Sequence, residues 1–124
     1  MMFRKTRTLI GMSSTVAVLA GQFLITPVSV AAGSSLVEEG KAIAFNRKKG
    51  NCLACHTIEG GNLPGNIAPP LVAMKGRYPN KQDLRKQIWD PTIANPESSM
   101  PPFGKHEVLT KSELDKVVEF IWTL

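Results

Sequence analysis

Hydrophobic residues near the C-terminus recur at intervals of three and four positions, which is the spacing of one face of an α-helix. They are Leu114, Val117, Val118, Ile121 and Trp122. Thr110 precedes this stretch, and Glu113 lies three residues further on. Together the two form the capping-box pattern, which satisfies the first free amides of a helix. The sequence therefore predicts a C-terminal helix that starts after Thr110 and packs through its hydrophobic face.

A similar pattern predicts a helix that starts at Ser35, where Glu38 completes a second capping box. The positions on its buried face are Leu36, Gly40, Ile43 and Ala44. A glycine costs a helix roughly 1 kcal/mol relative to alanine. The place of Gly40 on the buried face therefore indicates a close crossing with another helix.

A third helix is predicted from about Lys81 to Trp89, with Asn80 as its N-cap and Pro91 as its stop. The segments between the three helices are rich in glycine, proline and asparagine, which favours loops over strands. The predicted fold class is therefore all-α.

The first 32 residues have the layout of a secretory signal peptide. A basic segment, residues 4–7, precedes an uncharged stretch over residues 8–37 that contains the small residues expected at a cleavage site. Cleavage after Ala31 or Ala32 would leave residues 33–124 as one domain in the periplasm. A retained membrane anchor is the competing interpretation, since about 20 apolar residues span a bilayer. Pro27 and several polar residues in the stretch favour cleavage.

The formal net charge of +5 comes mainly from the predicted signal peptide. Without its three basic side chains, the remaining domain carries a formal charge of +2. This small excess gives no support for nucleic-acid binding. We expect no nucleic-acid partner, and no membrane span once the signal peptide is cleaved.

The chain contains two cysteines, Cys52 and Cys55, and His56 follows directly. A disulfide that closes so short a loop would constrain little of the unfolded chain. A thioredoxin-like redox pair needs a βαβ context, which the downstream sequence lacks. A structural zinc site needs four ligands, and His106 is the only further histidine.

The C-x-x-C-H spacing is that of covalent haem attachment. Two thiols at this spacing can form thioethers with the vinyl groups at one edge of haem, and the adjacent histidine can coordinate the iron from one face. This interpretation uses all three residues. We therefore predict one haem c, attached through Cys52 and Cys55, with His56 as the proximal iron ligand.

Met100 is the predicted distal ligand on the opposite face of the iron. It lies in the segment SSMPPFG, where two prolines keep the backbone extended and out of a helix. His106 is the main rival for this position, and Met74 is better explained by core packing. A methionine and histidine pair raises the reduction potential and, by filling both axial positions, favours electron transfer.

Taken together, these residues resemble the small mono-haem class I c-type cytochromes. The resemblance rests on CLACH, APPL and MPPF, placed between an N-terminal and a C-terminal helix. It implies helices wrapped around a haem that forms much of the core, and a crossing of Gly40 with Phe120 or Trp122. It also implies that the carbonyl of Pro69 accepts a hydrogen bond from the ring of the histidine ligand. Ala68 departs from the glycine of the family pattern.

Longer segments resemble the SoxX family, the small haem subunits of the SoxAX complexes of sulfur-oxidising bacteria. They are GKAIAFNRKKGNCLACH, GNIAPPLVAM, LRKQIWDPT, MPPFGKHEVLT and LDKVVEFIWTL. The resemblance implies a periplasmic heterodimer with a SoxA-type haem subunit. Such a complex joins thiosulfate oxidatively to a cysteine of the sulfur carrier SoxYZ, and the electrons pass through haem to a downstream acceptor cytochrome.

Both cysteines are used by the thioethers in this interpretation, so the chain keeps no thiol for sulfur chemistry. We therefore predict no catalytic residue here: the cysteine S-thiosulfotransferase site would lie on the partner subunit, and this chain would be the electron outlet. The alternative is a free-standing periplasmic mono-haem shuttle to a terminal oxidase, which would use the same iron ligands.

Overall fold

The computed structural model describes residues 30–124, and every regular element in this part of the chain is helical. The four α-helices are α1 (Val30–Phe45), α2 (Met74–Arg77), α3 (Lys81–Trp89) and α4 (Lys111–Ile121). Two 3₁₀ turns, Cys52–Ala54 and Pro91–Ile93, lie in the connections. The prediction of an all-α fold is confirmed.

The predicted signal peptide lies almost entirely outside the described residues. It and the domain boundary after residue 32 therefore stay predictions. Across residues 30–124, no helix combines the length and the apolar character needed to cross a membrane.

The predicted start of the first helix at Ser35 is wrong, because α1 begins five residues earlier, at Val30. Leu36 was predicted to be buried, but 40% of its surface is exposed. The buried face of α1 is turned by one position from the predicted one, because Val37 packs against the core in place of Leu36 and lies on the same helix face as Gly40 and Ala44. Gly40 and Ala44 are buried as predicted, and Ile43 is half-buried.

The crossing of α1 and α4 is the closest helix contact in the fold. A Cβ atom built on Gly40 would overlap the backbone carbonyl of Lys116 and lie 3.0 Å from the Cβ atom of Phe120. Beside it, the rings of Phe45 and Phe120 meet edge to face, with centroids 5.8 Å apart. Such pairs contribute about 0.5–1.5 kcal/mol beyond the burial of their area. Phe120, rather than Trp122, is therefore the aromatic partner of Gly40.

The N-terminal ends of α3 and α4 lie where the capping signals in the sequence predict them. Asn80 caps α3, because its Oδ1 atom accepts a hydrogen bond from the amide of Gln82 at 3.0 Å. Thr110 and Glu113 form both hydrogen bonds of the capping box at the start of α4, at 3.2 and 3.0 Å. The short helix α2 was not predicted, since a single turn is too short to show hydrophobic periodicity.

The buried core lies between α3, α4 and the segments that follow His56 and Met100. Its residues are Ala44, Ile58, Met74, Leu84, Ile88, Phe103, Leu109, Leu114, Val117, Val118, Phe120 and Ile121. The stripe predicted for α4 is buried at four positions, and Trp122 is half-buried at the helix end. This core forms one side of the cavity that contains the predicted site.

Glu113 also connects α4 to the segment before the cysteines, since its carboxylate pairs with Lys49 at 2.6 Å. The Lys49 ammonium and the amide of Thr110 lower the pKa of Glu113 from 4.5 to about 2. Because the folded pKa is depressed, this contribution to stability is present above about pH 4.5 and is lost as the pH falls towards 2.

We therefore expect Glu113→Gln to be less stable than the wild type at about pH 6, with a disadvantage that shrinks at about pH 2.5. Thermal unfolding of the haem-loaded protein, followed by circular dichroism at both pH values, measures this. Glu119→Gln also removes one charge and one ion pair of α4, the pair with Lys81, but leaves the cap intact, and it serves as the control. An equal disadvantage of Glu113→Gln at the two pH values would contradict the prediction.

Candidate functional site

A cavity of about 1000 Å³ lies against the core. This is the upper end of the roughly 300–1,000 Å³ typical of ligand pockets. Its walls combine the cysteine segment, the loop after His56, the faces of α3 and α4, and the segment around Met100. Apolar core residues form one part of the wall, including Leu84, Ile88, Val117 and Ile121. The cavity therefore suits a large, mostly apolar ligand.

Cys52 and Cys55 line this cavity, and both are half-buried. The 3₁₀ turn Cys52–Ala54 places them, because the amides of Cys55 and His56 both donate to the carbonyl of Cys52, at 3.3 and 3.0 Å. The turn starts after Asn51, whose left-handed backbone (φ 47°) reverses the chain direction. The thiols are not joined in a disulfide.

Burial raises the pKa of the Cys52 thiol to about 11. Redox-active C-x-x-C cysteines have lowered pKa values, since the thiolate is the attacking group. The thiol of Cys52 is therefore in the wrong environment for thioredoxin-like chemistry.

His56 lines the same cavity, and its ring is oriented by the loop that follows it. The Nδ1 atom of His56 lies 2.7 Å from the carbonyl oxygen of Pro69. A carbonyl oxygen only accepts hydrogen bonds, so Nδ1 carries the proton and donates. The other ring nitrogen, Nε2, is then left with its lone pair, which is the form of histidine that coordinates a metal.

The loop that presents Pro69 is held by backbone hydrogen bonds on both sides. The amide of Ala68 donates to the carbonyl of Cys55 at 3.0 Å, and the amide of Leu71 donates to the carbonyl of Thr57 at 3.0 Å. Ala68 is not among the residues with positive φ. An alanine is therefore tolerated where the family pattern has glycine, and the contact to His56 is kept.

The three candidates for the second iron ligand lie in different surroundings. Met100 is half-buried and lines the cavity. Met74 lines it too, but it is only 2% exposed and its sulfur accepts a 3.5 Å contact from the guanidinium of Arg77. His106 is exposed and is not among the residues that line the cavity. This arrangement favours Met100 over both rivals.

Arg77 is a cavity residue that the sequence analysis missed. Its guanidinium donates to the carbonyl of Pro70 at 2.9 Å, which fixes a positive charge at the cavity wall. Arg47, Lys48 and Lys49 also line the cavity, and within residues 30–124 Glu97 is the only acidic residue of the lining. Haem carries two propionate carboxylates, so this charge distribution fits it. No local sequence signal marks Arg77, because its role depends on the folded loop.

The described residues do not form a metal site from protein ligands alone. Among residues 30–124, no group of three or more histidine, cysteine, aspartate or glutamate side chains could hold an ion. A haem iron brings four nitrogen ligands of its own and needs only one or two from the protein. The donor set of His56 and Met100 therefore fits haem and does not fit zinc.

The fold and the cavity are those of a c-type cytochrome, and comparison with known proteins identifies its family. Residues 35–121 match the family described as "Cytochrome C oxidase, cbb3-type, subunit III". This match covers well over half of the chain, so the chain belongs to that family of cytochrome c domains. A domain of this family implies a covalently bound haem c and a role in electron transfer.

A solved structure gives a more specific similarity. The chain is 28% identical to a chain of the "Crystal structure of SoxXA from P. pantotrophus", with a TM-score of 0.63. The match covers 69% of this chain and 79% of the solved chain. It confirms the predicted class I cytochrome c fold and the predicted SoxX-like character of the chain.

A relative from Aquifex aeolicus (strain VF5), described as an "Uncharacterized lipoprotein", is 33% identical over 75 residues. The match covers 60% of this chain and 36% of the relative. The chain therefore spans about a third of the length of that relative.

Proposed function

We propose that this chain is the electron-transferring haem subunit of a periplasmic SoxAX-type complex. The observation that carries the proposal is the cavity that Cys52, Cys55, His56 and Met100 all line. The similarity to the SoxXA structure supports the choice of complex. In this proposal the chain holds one haem c, and its direct partner is a SoxA-type haem subunit.

The residues of the chain divide the task of holding the haem. Cys52 and Cys55 form the two thioethers, and Nε2 of His56 coordinates the iron. Pro69 keeps the His56 ring in the required tautomer through the 2.7 Å hydrogen bond to Nδ1. Met100 supplies the distal ligand. When bound, haem accepts and releases single electrons at its iron, at a potential that the axial ligands help to set.

The sulfur chemistry takes place outside this chain. An S–S bond forms between the terminal sulfur of thiosulfate and the cysteine sulfur of the carrier SoxYZ. The thiol proton would be released, and the two electrons would pass to a downstream acceptor cytochrome, a transfer that the haem held by this chain would serve. Once both cysteines of this chain are thioethers, it has no thiol that could take part. Its role is to hold the haem through which electrons leave the complex. The S-thiosulfotransferase site lies on the SoxA-type subunit.

Export to the periplasm is part of the proposal. The predicted signal peptide of residues 1–32 supports it, and so does covalent haem attachment to a C-x-x-C-H motif.

A free-standing shuttle to a terminal oxidase is the second candidate. The family description, which names a subunit of a cbb3-type cytochrome c oxidase, links domains of this family to a terminal oxidase. Both candidates use the same haem and ligands, and they differ in the electron donor and in the partner.

Reduction of the haem by thiosulfate distinguishes the two candidates. The haem-loaded chain is mixed with a SoxA-type subunit, SoxYZ and thiosulfate, and reduction is followed by visible absorption. We expect reduction that requires all three components and disappears when the carrier cysteine is replaced by alanine. Failure to co-elute with the SoxA-type subunit, together with rapid oxidation by a cbb3-type oxidase, would instead establish the shuttle.

A further inference from the structure

The segment between α3 and α4 carries Met100, and its two ends are joined at its base. The carbonyl of Trp89, at the end of α3, accepts hydrogen bonds from the amides of Gly104 and Lys105, at 3.1 and 3.2 Å. Gly104 is buried against the ring of Trp89, where a Cβ atom would overlap the ring. Residues 90–105 therefore form a closed loop, which we call the Met100 loop.

Asp90 lies at the start of this loop and contacts both of its ends. Its Oδ1 atom accepts hydrogen bonds from the amide of Thr92, at 3.1 Å, and from the hydroxyl of the same residue. Its Oδ2 atom pairs with the Nζ atom of Lys105 at 2.8 Å. One carboxylate therefore organises the first turn of the loop and binds its last residue.

Asp90 is also the one charged side chain that is buried within residues 30–124, with only 4% of its surface exposed. Burying a carboxylate is costly unless it is paired and hydrogen-bonded. The turn Pro91–Ile93 does not require the charge, since asparagine caps such a turn as well as aspartate does. The ion pair with Lys105 does require it, so the negative charge serves to close the loop.

The loop places the sulfur of Met100 at the cavity. Between its joined ends, the hydroxyl of Ser98 accepts a hydrogen bond from the amide of Met100 at 3.3 Å. Phe103, in the last part of the loop, is buried in the core. Residues 93–99 are mostly exposed, and the hydrogen bonds of their amides are local: Ile93, Asn95, Glu97 and Ser98 donate to Asp90, Pro91 and Asn95. Because these bonds stay within the loop, the position of Met100 relative to the rest of the fold depends on its own packing against the core and on the contacts at the base of the loop.

We propose that Asp90 is a positioning residue for the distal iron ligand: through Lys105 it closes the Met100 loop and keeps the methionine against the haem. The inference rests on the proposed function in one respect, namely that Met100 coordinates the iron. Removing the charge of Asp90 then raises the population of molecules in which the loop opens and the iron is accessible to an added ligand.

Binding of cyanide to the ferric haem-loaded protein measures this opening, because cyanide must displace the protein ligand. We expect Asp90→Asn to speed cyanide binding about tenfold or more, as the loss of a partly buried ion pair predicts. Lys105→Met should act in the same direction, since it removes the cross-loop contact. Thr92→Val, which removes only a contact within the first turn, should have a much smaller effect. Asp83→Asn breaks the exposed pair with Lys86 on α3 and is the control.

Amide hydrogen exchange supplies a readout that does not depend on iron ligation. The amides of Gly104 and Lys105 should exchange faster in Asp90→Asn, whereas those in the middle of α4 should not. Uniformly faster exchange would show a general loss of stability and would overturn the positioning role.

Met100→Ala separates this inference from the proposed ligand. Fast cyanide binding in Met100→Ala, together with wild-type rates in Asp90→Asn, would overturn the role of Asp90 alone. Wild-type rates in Met100→Ala would show that Met100 is not the distal ligand and would overturn both.

Discussion

Replacing both Cys52 and Cys55 by alanine is expected to abolish covalent haem attachment and to leave a chain that does not reach a stable fold. Both side chains line the cavity, and no other cysteine exists in the sequence to replace them. Without the thioethers, the apolar wall formed by α3 and α4 loses the group that covers it. A chain of this size buries only about 60–70% of its unfolded surface, so it has little stability to spare.

Haem staining of a denaturing gel measures the covalent bond, and circular dichroism of the exported protein measures folding. We expect no stain and a broad, non-cooperative thermal transition. Each single alanine variant keeps one thioether and should still stain, with a lower yield. A stained band from the double variant would contradict covalent attachment through these cysteines.

If the double variant keeps haem that is removed on denaturation, its spectrum should still show histidine coordination. Retained haem would mean that the fold around it has formed, and in that fold the 2.7 Å hydrogen bond to Pro69 orients His56. A further substitution, His56→Ala, should then remove the remaining haem.

Local sequence signals predicted α3 and α4 well because the residues that fix these helix ends lie next to them. Asn80 and Thr110 cap their helices through side chains that reach only two or three residues along the chain. The predicted start of α1 was wrong for a related reason. The S-x-x-E pattern at Ser35 resembles a capping box, but nothing before it stops a helix, and α1 continues to Val30.

The same distinction applies to the site: features formed by neighbouring residues were predicted from the sequence, and contacts between distant residues were not. The C-x-x-C-H motif is local, so the sequence alone indicated haem attachment. The contact between His56 and Pro69 joins residues 13 positions apart and was expected only from the family resemblance. The pairing of Asp90 with Lys105 spans 15 positions, and the position of Arg77 depends on the fold around the cavity. Neither could be predicted, because no periodicity or spacing rule connects these residues.

Gly40 is an exception, since a long-range contact was predicted from one residue. A glycine on the buried face of a helix is unfavourable for the helix itself. Its presence there implies that something approaches too closely for a side chain. The structure identifies that neighbour as the backbone of α4 at Lys116, with Phe120 beside it.

Substituting Gly40 by alanine should therefore destabilise the protein strongly. The added Cβ atom would overlap the carbonyl of Lys116, which is helix backbone and cannot move aside as a flexible side chain would. Overpacking of a core costs about 1–3 kcal/mol and sometimes more. We expect about 3 kcal/mol here, because α1 and α4 must separate along their whole contact. For a domain of this size, that corresponds to a fall in Tm of more than about 10 °C.

Gly76→Ala is the control, since Gly76 also lies in a helix, α2, and a Cβ atom there meets nothing within 4 Å. It should change the free energy of unfolding by no more than about 0.5 kcal/mol. Denaturant unfolding of the haem-loaded proteins, followed at the far-ultraviolet helix signal, gives both values. If Gly40→Ala matched Gly76→Ala, the two helices would not cross as closely as the structure shows. The crossing also orients α4, whose Val117 and Ile121 line the haem cavity. Gly40→Ala should therefore shift the haem absorption spectrum as well, although Gly40 does not line the cavity.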